Sequence, residues 1–261
     1  MRLGKVVYVL FIIFFISRIT FAVEDTKVEN EKIRNEFFKF CFSVFDLLIK
    51  GEVTMEDVSY MTEKLIKKYG DKLIPYIREF LYLDFDNLSP EDFPEDVGKH
   101  IKKEYIDKSC TLIVPYILSH IKTKKSIKLL DEILSDDKFV GLFHDSVIAL
   151  GKIGTKETLP VLVKFFKRRG AIAHVEVYLG KIGGKRVVEL LISKLDPHKN
   201  YCFEITSELE KITGEKIGII EVKGTRGEDE DPKVIEYRSK IIKKWKEWWK
   251  KNKDKYPEQI K

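Results

Sequence analysis

The side chains of this sequence best suited to acid–base work or metal binding are its histidines, His100, His120, His144, His174 and His198. His144 stands directly before Asp145, and His174 follows on a segment of the same kind, so the three can face one groove. A zinc centre needs three or four converging ligands. Two histidines at slightly different register fall short of that, and ordinary surface or half-buried histidines are the simpler reading. The acidic run Glu228-Asp229-Glu230-Asp231 lacks the glycine and distal glutamate of a calcium loop, so it reads as a solvated run that starts a helix. Glu91, Asp92, Glu95 and Asp96 read as loop and cap residues, not as a general acid and base. The sequence holds no Gly-Lys-Ser/Thr phosphate loop, Gly-x-Ser-x-Gly elbow, His-Glu-x-x-His or Cys-x-x-Cys. The expectation is a protein that is not an enzyme, with no catalytic residue, cofactor or metal.

The elements that would position these residues are set by a recurring phrase. Ala149-Leu150-Gly151-Lys152-Ile153-Gly154 returns as Tyr178-Leu179-Gly180-Lys181-Ile182-Gly183, and again as Glu208-Leu209-Glu210-Lys211-Ile212-Thr213-Gly214. The leucines lie 29 and then 30 residues apart, and a period of that length means stacked supersecondary units. After Gly154, Leu159, Leu162 and Phe166 recur at helical spacing; after Gly183, Val188, Leu191 and Leu195 do the same. Thr155 is placed to cap the first of these helices. A break follows each: Arg168-Arg169-Gly170 in one unit, Asp196 to Asn200 in the next. A second helix then leads back to the phrase, whose glycine is a natural left-handed stop. Ile117 to Lys122 aligns with the phrase 32 residues upstream, although it lacks glycine, and Ile127, Leu130 and Leu134 fall at the matching offsets. Each unit is therefore an antiparallel helix pair that must stack on its neighbours to hide its apolar face.

The Ala-Leu-Gly-Lys-Ile-Gly phrase and its step of roughly 30 residues resemble short HEAT repeats of the phycobilisome-lyase type, over about residues 123–214. The resemblance implies an all-α fold, an α-solenoid: a right-handed superhelix of stacked antiparallel helix pairs whose second helices line a concave surface. Family second helices are usually alanine-rich with an early arginine; here Tyr178 and Glu208 stand in the position of Ala149, and no arginine precedes the phrase. Bilin lyase activity is the namesake of the family, and the missing catalytic cluster argues against it here.

Four regions follow. Residues 1–22 read as a signal peptide: Met1 to Lys5, then 11 residues from Val6 to Ile16 with no polar group but the Tyr8 hydroxyl, then Thr20-Phe21-Ala22 suited to cleavage after Ala22. That stretch is shorter than the roughly 20 residues a membrane span needs; an uncleaved anchor is the alternative. The expected location is exported, periplasmic or extracellular. Residues 23–122 read as diverged helix pairs, with Phe37, Phe38, Phe40, Phe42 and Phe45 in one segment and Thr54 and Asp57 as an imperfect capping box. Residues 123–214 hold the repeats. Residues 215–261 hold Ile217 to Val222, either a short strand or a segment tucked into the core, and then a helix opened by Asp231 and Pro232.

That last helix carries Ile241, Trp245, Trp248 and Trp249 as an apolar stripe, with eight lysines between Lys240 and Lys255. Covering the end of the stack is its simplest role; meeting an anionic membrane surface is the alternative. The net charge is +6, and +3 once a leader with Arg2, Lys5 and Arg18 is removed, which is not the basicity of a nucleic-acid binder. Cys41, Cys110 and Cys202 read as buried, unpaired residues, with a Cys41–Cys110 bridge conceivable. The favoured function is a protein-interaction or scaffold module of the cell envelope, binding an unknown protein partner on the concave face. The candidate contacts are Asp145, His174, Glu176 and Tyr178. A peripheral envelope-surface protein is the alternative, and a lyase-like enzyme is the last.

Overall fold

The computed structural model describes residues 26–44, 46, 47, 50–84, 87, 89, 111–199, 201–218, 220 and 231–257. Every regular element among them is helical. The leader, Phe45, most of the acidic loop after Ser89, Cys110 and Glu228 to Glu230 lie outside the described residues. No described helix is long and apolar enough to cross a membrane. The chain divides into two units, Met1–Val114 and Pro115–Lys261.

The first unit is organised by aromatic residues. Helix α1 covers residues 26–44, α2 Met55–Tyr69 and α3 Ile74–Leu81. Phe80 of α3 is met edge-on by Phe37, Phe38 and Phe42 of α1, at centroid distances of 5.8, 5.3 and 5.4 Å. Such pairs add about 0.5–1.5 kcal/mol each beyond the area they bury. The capping box of α2 is complete: Thr54 Oγ1 accepts from the Asp57 amide, and the Asp57 carboxylate accepts from the Thr54 amide. Cys41 is buried in this core.

The second unit is built by the repeat. Helix α4 (Ile113–Ile121) leads into it, followed by α5 (Lys124–Ser135), α6 (Phe143–Ile153), α7 (Thr158–Arg169), α8 (Val175–Ile182), α9 (Lys185–Ser193), α10 (Cys202–Thr213) and α11 (Pro232–Asn252). The helices that end in the phrase form a series, α6 on α8 and α8 on α10, and the preceding helices α5 and α7 pack on each other. Leu118, Leu150, Leu179 and Leu209 are all fully buried. So, at 9 % exposure or less, are the offset residues Ile127, Leu130, Leu134, Leu159, Leu162, Phe166, Val188, Leu191 and Leu195.

The two glycines of the phrase do different work. The terminal glycine turns the chain: Gly154, Gly183 and Gly214 have φ of 62°, 65° and 74°. The inner glycine admits a neighbour. A Cβ on Gly151 would stand 1.8 Å from Tyr178 Cδ1, and one on Gly180 would stand 2.1 Å from Glu208 Oε1. The residue that opens one phrase thus lies against the inner glycine of the phrase before it. The last copy has Glu210 in that position, whose Oε1 accepts from the Gly218 amide at 3.0 Å.

The upstream copy lacks glycine but keeps its geometry, since Lys122, aligned with Gly154, has φ of 55°. A left-handed residue bearing a side chain costs roughly 1–2 kcal/mol. Lys122→Gly should therefore stabilise the unit by about 1 kcal/mol, less the entropy glycine adds to the unfolded chain. Urea denaturation reads this out; a loss of stability would show that Lys122 is not held left-handed in solution.

One local expectation changes, and one pair of alternatives is narrowed. Helix α7 starts at Thr158, with Glu157 in the cap position and no side-chain cap. Thr155 contributes through its carbonyl, which accepts from the Thr158 amide at 3.0 Å. The reason is Pro160: with this start it falls in the first turn, where its missing donor has no intrahelical partner to lose. A helix capped by Thr155 would place it deeper and forfeit a bond. The segment around Ile217 tucks inward, with Ile220 1 % exposed and its amide donating to Thr206 Oγ1 at 3.0 Å.

Candidate functional site

Helices α6, α8 and α10, which pack in series, carry their solvent-reaching residues in a constant register. Counting back from the phrase lysines Lys152, Lys181 and Lys211 by four residues gives Ile148, Val177 and Ser207; by seven, Asp145, His174 and Glu204. Steps of three and four keep these on one helical face. The middle row is half-buried, and the lysine row reaches solvent. The register therefore gives a middle row that is aliphatic at Ile148 and Val177 and polar at Ser207, a lysine row at the helix C-termini, and a row of acids and histidine toward the N-termini.

Of the four expected contacts, Asp145 and His174 lie on this surface, with 47 % and 67 % of their side chains exposed. His144 joins them: its Nδ1 lies 3.3 Å from Asp145 Oδ1, and its ring centroid lies 5.9 Å from that of His174. His174 is presented by an unusual turn, in which Ala173 and His174 both have positive φ, 57° and 55°. No third metal-binding group converges on any such pair among the described residues. An exposed His–Asp pair in water is screened and weak, and this arrangement can accept or donate hydrogen bonds to a partner.

The other two lie elsewhere. Glu176 is 1 % exposed, and it points between α8 and α10 because it lies on the buried side of a helix whose outward residues are His174, Val177 and Lys181. It is a core residue, and a partner on the outward face does not reach it. Tyr178 is half-buried against Gly151, where it serves packing between helices as well as surface. Burial pushes the Tyr178 hydroxyl above its ordinary range.

Burial also pushes the Glu176 carboxyl above the ordinary value of 4.5, and the Glu204 and Glu208 carboxylates of α10 push it the same way. Its Oε2 has no hydrogen-bond partner among the described residues, while His174 Nδ1 lies 3.8 Å from Oε1. Glu208 is held by Lys211 at 3.1 Å. A carboxyl raised in this way binds its proton more tightly in the fold than in the unfolded chain. Its contribution to stability is complete below 4.5 and is lost as pH rises through the higher folded-state value. Glu176→Gln should therefore stabilise the protein at about pH 8, with a gain that shrinks toward pH 4. Denaturation curves at the two pH values test this, and an equal gain at both would remove Glu176 from the titration.

Sequence reasoning missed the lysine row, although its signal was in plain view: the fourth residue of the last three phrase copies is lysine, where the upstream copy has His120. Lys181 Nζ stands over the Tyr178 ring at 4.7 Å, and Lys152 Nζ over the Tyr116 ring at 5.3 Å. Elsewhere in the unit two shallow depressions occur. One, of about 500 Å³, has Leu159, Pro160, Val163 and Leu190 on its walls with Lys167 and Arg186 among them. The other, of about 440 Å³, lies between Leu195 and Pro197 and the Ile242 side of α11. Each also holds a serine and a glutamate, Ser193 with Glu189 and Ser239 with Glu247, and the Ser193 hydroxyl donates to the Leu190 carbonyl at 2.7 Å.

The last helix turns its aromatic stripe inward. Trp245 is fully buried and Trp249 is 7 % exposed, and the Trp245 indole donates to the Gly218 carbonyl at 3.1 Å. Cys202 is buried with a free thiol that donates to the Asp196 carbonyl at 2.9 Å. Burial raises its pKa, which suits an inert core residue. Comparison with protein-family models, with curated proteins and with solved structures finds no match to this chain.

Proposed function

We propose that the chain is a non-enzymatic binding module of the cell envelope: a right-handed α-solenoid of HEAT-like helix pairs that takes a protein partner along the concave face made by its second helices. The observation that supports this reading is the serial packing of α6, α8 and α10, whose equivalent positions in the middle and lysine rows share the same burial. A stack of this kind presents an extended surface by construction, and its repeated rows match a partner that is itself extended. The half-buried Ile148 and Val177, flanked by rows of opposite charge, add a reason for a partner. The envelope location rests on the leader pattern of residues 1–22.

The test uses the full chain as bait against an envelope fraction. Val177→Asp puts a charge in the middle row of the face, at a half-buried site, and a thermal melt establishes that the variant is folded. Loss of a captured protein with Val177→Asp, and its retention with Lys128→Asp on α5, is the expected result. Equal capture by both variants would move the binding site off this face.

A further inference from the structure

We infer that Lys152, Lys181 and Lys211 form a ladder that reads an extended acidic segment of the protein partner, one carboxylate for every third residue. This rests on the binding face proposed above and adds the chemistry of what it binds.

The spacing argument comes first. Each second helix contributes one lysine at the same position of the phrase, so the distance between rungs is the distance between neighbouring helices, about 8–10 Å. The inner glycines favour the close end of that range, since Tyr178 lies against Gly151 and Glu208 against Gly180. An extended chain in the polyproline II conformation has three residues per turn and advances about 3.1 Å per residue, so every third side chain falls on the same side, about 9 Å along. The two periods match. A helical ligand, which advances about 1.5 Å per residue, meets the same rungs only with acids about seven residues apart and not with acids at every third position.

The availability argument is independent. Most lysines of known partnership in this unit are committed to carboxylates: Lys164 to Asp131 at 2.9 Å, Lys185 to Asp254 at 3.0 Å, Lys240 to Glu236 at 2.7 Å. Lys152 and Lys181 have no carboxylate within ion-pair distance among the described residues; each stands over a tyrosine ring instead. A ring face steadies an ammonium without neutralising it, so both heads are held outward with their charge intact. Lys211 differs: it is paired with Glu208 and is the weakest rung. Position in the last helical turn explains why lysine is favourable there, but not why two of the three are held by aromatic rings and left without an acid.

Orientation follows from the rest of the face. Ile148 and Val177 offer an aliphatic bed for side chains between the carboxylates, and the exposed Asp145 on the far edge repels an acidic chain from that side. The ligand is thereby confined to the lysine edge.

Fluorescence anisotropy with the full chain tests this. The probe is a labelled peptide of about twelve residues with glutamate at every third position, beside an isomer of the same composition with its glutamates contiguous. At about 0.1 M salt the spaced peptide should bind more tightly than the isomer. Lys152→Ala with Lys181→Ala should weaken it about tenfold, and Lys244→Ala with Lys251→Ala on α11 should leave it unchanged. Thermal melts establish that each variant is folded. The ladder is overturned if the two peptides bind alike, if both double variants lose equally, or if a sulfated polysaccharide binds and the peptide does not. The two proposals fail separately: if Val177→Asp abolishes capture of the partner while the Lys152/Lys181 variant retains it, the face binds and the ladder is not its reader.

Discussion

Trp245→Ala lowers the stability of the second unit by about 3–5 kcal/mol, the range for deleting a fully buried large aromatic side chain. Trp245 has no exposed surface and meets Trp248 edge-on at 5.7 Å, and its indole nitrogen satisfies the Gly218 carbonyl. Alanine there leaves a cavity and an orphaned acceptor together. The loss reaches further than one side chain because α11 packs on α9. The chain beyond α11 is fastened too: the Pro257 carbonyl accepts from the Lys185 amide at 2.8 Å, and the Tyr256 hydroxyl donates to the Thr213 carbonyl at 3.3 Å. Truncation after Asp231 removes all of this and should be more damaging still. Trp248→Ala, at a half-buried site, should cost about 1 kcal/mol. Chemical denaturation of the three proteins gives the order. If Trp245→Ala keeps its stability and instead loses binding to anionic vesicles, the helix is a membrane contact and not a cap.

The second large effect concerns a glycine inside a helix. Gly151→Ala ought to help, since alanine is the better helix former by about 1 kcal/mol. We expect the opposite, a loss of about 2 kcal/mol, because the new Cβ would fall 1.8 Å from the Tyr178 ring. A ring wedged between helices gives way only by moving α8 or by leaving its rotamer. Gly180→Ala makes a similarly close approach, at 2.1 Å, but to the carboxylate end of Glu208. That end can swing, so the cost is smaller. Gly141, where an added Cβ would meet nothing within 4 Å, is the neutral control. The decisive measurement is the double variant: Tyr178→Ala should restore most of the stability lost with Gly151→Ala, giving a coupling of at least about 1 kcal/mol. Additive losses would mean that the two residues do not touch.

Much of the helical framework was legible because it rests on local rules. Thr54 and Asp57, Asp231 and Pro232, and the terminal glycines of the phrase mark helix ends through bonds and dihedral angles that span only a few residues. The buried leucines were legible for a related reason: a period near 30 residues brings equivalent positions to equivalent places. Thr155 shows the limit. Its cap signal was genuine, but Pro160 further along moved the start, and two competing local rules cannot be ranked by type alone.

The candidate surface was legible only in part, because facing outward is a relation to neighbours. Asp145, His174, Glu176 and Tyr178 all sit on second helices, yet Glu176 is buried and Tyr178 is wedged on Gly151. Which arc of a helix stays open depends on the angle at which the next helix arrives. By itself the sequence determined the helices, their repeat and the leucines that the repeat buries, since these follow from hydrogen bonding and apolar spacing along one chain. Tertiary structure alone decided that the inner glycines are seats for the next layer, that the tryptophans turn inward, and that two of the phrase lysines keep their charge on the open face. Each of those depends on a contact between segments tens of residues apart, whose geometry no local pattern encodes.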